Sequence, residues 1–158
     1  MFQVGDKIVH PMHGAGIIES IVTKKVNGVV RDYYTLKLSE RAMLVMIPVE
    51  NCTEVGVRSI VDCKYAVEVL RCFPTLQVEM TQNWNRRYRE NMERLKSGDL
   101  MEVARVVKGL MMRDAEHGLS TGERKMLHSA KQILVSEIVL SAGIPYEEVE
   151  GLIDVPST

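Results

Sequence analysis

The sequence predicts an α+β protein: a small, bent N-terminal β-barrel of SH3 or Tudor type over residues 1–57, then an all-α helical bundle over residues 58–158. Three observations carry this reading. Up to Val57 the apolar residues come in short β-branched runs broken by Gly, Pro and Asn-Gly; beyond it they recur at three- and four-residue spacing. Asn27-Gly28 is a strong hairpin signal, because both residues tolerate positive φ. Ser120-Thr121-Gly122-Glu123 matches the capping box that opens a helix, with Glu123 able to reach back to the Ser120 amide.

The strands follow in order. Val4–Pro11 is a strand stopped by proline. Gly14-Ala15-Gly16 is a bend, and Ile17–Val22 is β-branched and strand-like. The chain turns at Asn27-Gly28 and returns through Tyr33–Leu38. Leu44–Val49 is a further short strand, closed by Pro48. So many short strands in so few residues cannot make a large sandwich, and a small five-stranded barrel fits the length.

The helices follow with their caps. Asp62 caps a helix to about Arg71, ended by Phe73-Pro74. Residues 75–82 form a polar connector. Asn83 caps the next helix, which puts Trp84 in its first turn, with Tyr88, Met92 and Leu95 on one stripe. Ser97-Gly98 ends it, and Asp99 caps a helix carrying Val103, Val106, Val107, Leu110 and Met111. The capping-box helix runs to near Gly143, and Pro145 suits the start of a last short helix.

Composition narrows the class. At 158 residues and 46% hydrophobic content there is enough apolar surface for a real core. No apolar run approaches the ~20 residues that span a bilayer, and the N-terminus lacks the layout of a signal peptide, so a cytoplasmic protein is expected. Three cysteines without CxxC spacing argue against a disulfide framework or a zinc site, and read as thiols filling apolar gaps. Net charge is −1, but residues 83–125 carry ten Lys/Arg against seven Asp/Glu, and residues 126–158 one Lys against five acids. Positive charge is therefore local, and nucleic-acid binding through it needs a second contact.

Enzyme signatures are weak. His10 and His13 lie three apart across Pro11, too few for a metal site without further ligands. No GxSxG, Walker, HExxH or GxGxxG pattern occurs, so no catalytic residue and no cofactor is expected. The run Trp84-Asn85-Arg86-Arg87-Tyr88-Arg89 is the stronger candidate. Two readings of it stand on local sequence: a core tryptophan beside a solvated basic face, or an apolar wedge beside phosphate-gripping guanidiniums. A helix start also presents free amides and positive dipole to a phosphate. Arg124-Lys125 opens the capping-box helix, and the two basic starts would form one edge if the bundle brought them together.

At these residues the sequence resembles the CarD-like family of bacterial regulators that bind RNA polymerase and promoter DNA. The stretches Phe2–Gly16, Tyr34–Leu38 and Val45–Asn51 are similar to the family's polymerase-interacting domain. Asn83–Arg89, Leu95–Asp99 and Gly118–Leu127 are similar to its helical DNA-binding domain. The N-terminal motif alone is shared with the much larger transcription-repair coupling factor; the combination is specific.

The resemblance implies that the barrel binds the RNA polymerase β subunit, largely by joining sheet edges, through Lys24, Val26 and Met46. Met46 departs from relatives that carry arginine there, and His10 from relatives that carry an aromatic. It further implies that Trp84 wedges into the minor groove at the upstream fork of the promoter bubble. Arg86, Arg89 and Arg124 would hold phosphates, with Arg87 and Lys125 as helpers. The open complex would be stabilised by a monomer, with no chemistry. The rival expectation is a protein scaffold in which Trp84 is buried core.

Overall fold

The computed structural model describes residues 1–39 and 42–154. Its architecture is the α+β one expected. Five antiparallel strands, β1 (Lys7–His10), β2 (Gly14–Val26), β3 (Val29–Leu38), β4 (Leu44–Pro48) and β5 (Arg58–Ser59), lie in the order β4-β3-β2-β1-β5. A one-turn helix α1 (Cys52–Val55) precedes β5. Then come α2 (Cys63–Cys72), α3 (Trp84–Lys96), α4 (Leu100–His117), α5 (Thr121–Ala142) and α6 (Tyr146–Ile153). The sheet runs two residues past Val57, because Arg58-Ser59 pairs with Val9-Ile8 of β1. The last four residues of the expected helical domain lie outside the described residues.

The hairpin forms where Asn27 and Gly28 both take positive φ, 52° and 80°, and it closes the ladder at Val26↔Val29. A register shift between Ile18 and Ser20 bends β2. Inside the sheet, Ile8, Ile18, Tyr34, Leu36, Leu38, Ile47, Cys52 and Val57 make one core. Tyr34 is fully buried, and its hydroxyl accepts the Phe2 amide at 3.0 Å. The second core is helical: Phe73, Leu100, Val103, Val107, Leu110, Ile133, Leu134 and Ile138 are its centre.

β1 is buried on both faces. Ile8 points into the sheet's core, while its neighbour Val9 joins the helical core. The reason is α5, which packs against the β1–β2 corner. Ala15 N–H donates to Ser136 Oγ at 2.9 Å. Gly14, at φ +92°, does serve the expected bend, and it also lets the backbone press on α5: a Cβ there would lie 2.7 Å from Ser136 Oγ. The connector is less polar than expected. Leu76 and Met80 pack on the helical core, Met80 in the space that Gly109 leaves.

Candidate nucleic-acid interface

α3 begins at Trp84 because the Asn83 side chain accepts the Arg86 amide at 3.0 Å. α5 begins at Thr121 because Ser120 Oγ accepts the Glu123 amide at 3.2 Å. The fold brings these two helix starts together. The Trp84 indole N–H donates to Ser120 Oγ at 3.0 Å, and its ring stacks on Tyr88 with centroids 5.1 Å apart and planes 18° from parallel. Gly122 lies under both rings: a Cβ there would stand 3.6 Å from Trp84 and 3.8 Å from Tyr88. Trp84 remains 42% exposed. It lies outside the helical core, which Phe73 and the aliphatic residues fill without it.

The basic residues divide. Arg86 and Arg89 of α3 and Arg124 and Lys125 of α5 are exposed in the first two turns of the same two helices. Arg86 pairs with Glu90 at 3.1 Å, and Arg124 Nε donates to the Leu119 carbonyl at 3.2 Å. Arg89 and Lys125 have no ion-pair partner among the described residues. Arg87 corrects its expected role as a phosphate helper. It is 2% exposed and grips Glu123 with Nε at 2.8 Å and Nη2 at 3.1 Å. Its Nη1 donates to the carbonyls of Thr81 and Gln82. A guanidinium with four such bonds is committed to holding α3, α5 and the connector in place.

Glu123 follows from the same contact. Its carboxyl is held below the ordinary range, first by the hydrogen bonds from Arg87, against an opposing push from burial. Charges on Arg87 and Arg113 act in the same direction. The expected reach of Glu123 back to the Ser120 amide gives way to this pair, while Ser120 still caps the helix. Sequence reading had Ser120 as a cap and Tyr88 as an apolar stripe position. Their second use, holding the indole, was hidden because Ser120 is 36 residues from Trp84.

On the sheet, ladder register brings the three expected polymerase-contacting residues to one face. Lys24 lies opposite Arg31, Val26 opposite Val29, and Met46 opposite Thr35. On β3 those partners, Val29, Arg31 and Thr35, are all odd-numbered, hence on one side of the strand. Lys24, Val26 and Met46 are exposed, as are Val29, Val30 and Leu44 nearby. β4, which carries Met46, is an edge strand with one side of its backbone unpaired in the ladder.

Other candidates carry less. His10 is buried, accepts the Met12 amide, and has its pKa lowered to about 4 by burial and then by His13. Among the described residues no group of three or more His, Cys, Asp or Glu could hold a metal ion. None of their helices is long and apolar enough to cross a membrane. Only Cys52 fits the reading of a thiol in an apolar gap: Cys63 is exposed and Cys72 half-buried. A cleft of about 580 Å³ between the β1–β2 turn, α5 and α6 shares no residue with the Trp84 edge, and its Lys131 and Asp154 already pair.

Two family models match the chain. The CarD-like/TRCF RID domain matches residues 2–61, and the CarD C-terminal domain matches residues 68–154. A Bacillus subtilis (strain 168) protein bearing the name "Putative transcription factor YdeB" is 35% identical over 151 residues, covering 96% of this chain and 99% of that protein.

Proposed function

The chain belongs to the CarD-like family, and on that premise we propose that it is a non-enzymatic transcription regulator that stabilises the open promoter complex. The sheet binds the β subunit of RNA polymerase. The helical unit binds promoter DNA at the upstream edge of the bubble, and the protein acts as a monomer.

The observation that carries this reading is the half-exposed Trp84 at the seam of two helix starts whose first turns also carry the exposed Arg86, Arg89, Arg124 and Lys125. An indole there can fill the gap between parting base pairs while the cations hold phosphates on either side. Because such a gap exists only in melted DNA, the ring binds the open state better than the closed one and shifts the balance without chemistry. A tenfold shift needs about 1.4 kcal/mol of preference, within what one stacked ring supplies.

The polymerase contact follows from the sheet. Lys24, Val26 and Met46 offer a mixed basic and apolar face, and the free side of β4 offers hydrogen-bonding groups to a partner strand. This tether accounts for a DNA-binding protein of net charge −1, since docking on the polymerase raises its local concentration at the promoter. The scaffold alternative has Trp84 as core, and the ring's exposure and absence from the core oppose it.

The test is the lifetime of the open complex formed by RNA polymerase, with no added protein, with the wild type and with Trp84→Ala. The wild type lengthens it; the variant stays folded, keeps polymerase binding and loses the effect. A variant as effective as the wild type refutes the wedge.

A further inference from the structure

The sheet and the helical unit are joined by more than a linker. Arg58, on β5, forks onto Glu137 of α5, with Nη2 2.6 Å from Oε1 and Nη1 2.7 Å from Oε2. The Glu137 side chain is fully buried. Its Oε2 also accepts the Val61 amide at 2.9 Å, so β5 and the segment after it are both anchored on one carboxylate. Ser141 Oγ donates to the Val61 carbonyl at 2.7 Å, and Ser136 Oγ takes the Ala15 amide. Val9 and Ala15 seal the same join with apolar surface.

The far end of the Trp84 helix reaches the same point. Gly98, in the turn after α3, lies against the Arg58 side chain, and a Cβ there would stand 3.3 Å from Arg58 Cδ. From Trp84 to Gly98 the chain advances fourteen positions, and from Glu123 to Glu137 it advances fourteen. At 1.5 Å per residue the helical part of the first path, Trp84–Lys96, covers about 18 Å and the second about 21 Å. Two helices therefore leave the wedge together, held by Arg87–Glu123, and arrive together at Arg58.

We infer that Arg58 and Glu137 are positioning residues: their buried fork locks the sheet to α3 and α5 as one body, and so sets where Trp84 stands relative to a polymerase bound at the sheet. This rests on the function proposed above. A flexible tether only raises local concentration. A rigid one also fixes distance and direction, which a wedge needs in order to meet a fork whose location the polymerase dictates. Arginine suits the task, because a planar fork on a carboxylate admits one orientation where an ammonium admits many.

The test uses the full chain with its three cysteines replaced and nitroxide labels at Val30→Cys and Glu93→Cys, one on each side of the join. Electron–electron distance measurement on the free protein gives one narrow distribution for the native pair. Arg58→Met with Glu137→Leu removes both charges together, leaving none stranded. This double variant broadens the distribution, binds polymerase within about twofold of the native affinity, and loses about tenfold in open-complex lifetime. An unchanged distribution overturns the lock, and a broadened one with an unchanged lifetime overturns its purpose. If the double variant does not fold, Arg58→Lys carries the test. It keeps the charge without the fork, so intermediate broadening with partial loss of lifetime is expected, and native behaviour in both overturns the inference. Trp84→Ala without the lock variants separates the two proposals: it leaves the distances narrow, and if it also leaves the lifetime intact, the wedge fails while the distances still judge the lock.

Discussion

The start and the middle of α5 are held by the same device in opposite surroundings. At the start, Arg87 grips Glu123 beside a half-exposed ring; in the middle, Arg58 grips Glu137 under the sheet. Among the described residues, the sheet's own core cluster holds no ion pair; it is built from Ile, Leu, Val, Tyr and Cys side chains. The contrast teaches what buried ion pairs are for here. A well-packed apolar pair is commonly as stable as a buried salt bridge, or more so, because desolvating two charges offsets most of their attraction. Strand register already fixes side-chain positions in a sheet. Helices packed by apolar stripes can slide, and the bidentate pairs stop them at the places where position counts.

The strongest way to break this comparison is to remove one partner at the wedge end. Glu123→Ala strands the Arg87 charge in the interior and should cost about 3–5 kcal/mol in urea denaturation. A loss below 1 kcal/mol would mean that the pair contributes little. Acid should act in the same direction. The folded Glu123 binds its proton less readily than the unfolded chain does, so its contribution is present above the ordinary value of 4.5 and is lost as pH falls through the lower folded value.

Next in size is a contrast between two aromatics. Phe73→Ala removes a 2%-exposed core ring and should cost about 3–5 kcal/mol. Trp84→Ala removes a larger ring that is already part wet, and should cost no more than about 1.5 kcal/mol by thermal or chemical unfolding. Equal costs would put Trp84 back in the core.

Ser120→Ala is smaller in energy, about 1 kcal/mol for a lost cap, and sharper in what it reports. Trp84 is the chain's sole tryptophan, so its emission reads one site. The variant should emit further to the red and quench more readily with acrylamide, while Ser120→Thr keeps native emission. Native emission in the alanine variant would remove Ser120 from the site. Smallest are the single neutralisations of Arg86, Arg89 and Arg124. Each should flatten the slope of log affinity against log salt by about one unit or less on forked DNA. Three unchanged slopes would clear these residues of phosphate contact.

What could be read from the sequence was what is local. The caps at Asp62, Asn83, Asp99 and Ser120 were legible because a side chain two or three residues from an amide decides them. The hairpin was legible because Asn27-Gly28 selects its own turn. β5 was not: two residues carry no periodicity, and only β1 makes them a strand. Arg87 sat in a run of arginines with nothing local to mark it as buried, since its partner is 36 residues away. Arg58 and Glu137 were invisible for the same reason, being 79 residues apart. The trace that Glu123 left was its place in a capping box, and that motif pointed to a different partner.

The indole has one polar atom, and Ser120 already holds it. A ring so engaged has no donor left with which to question a base edge, and every base offers it the same flat face. Such a reader would be blind to letters. Which genes feel the protein would then be settled by how readily each start site melts, and a genome could retune that response by editing its DNA alone.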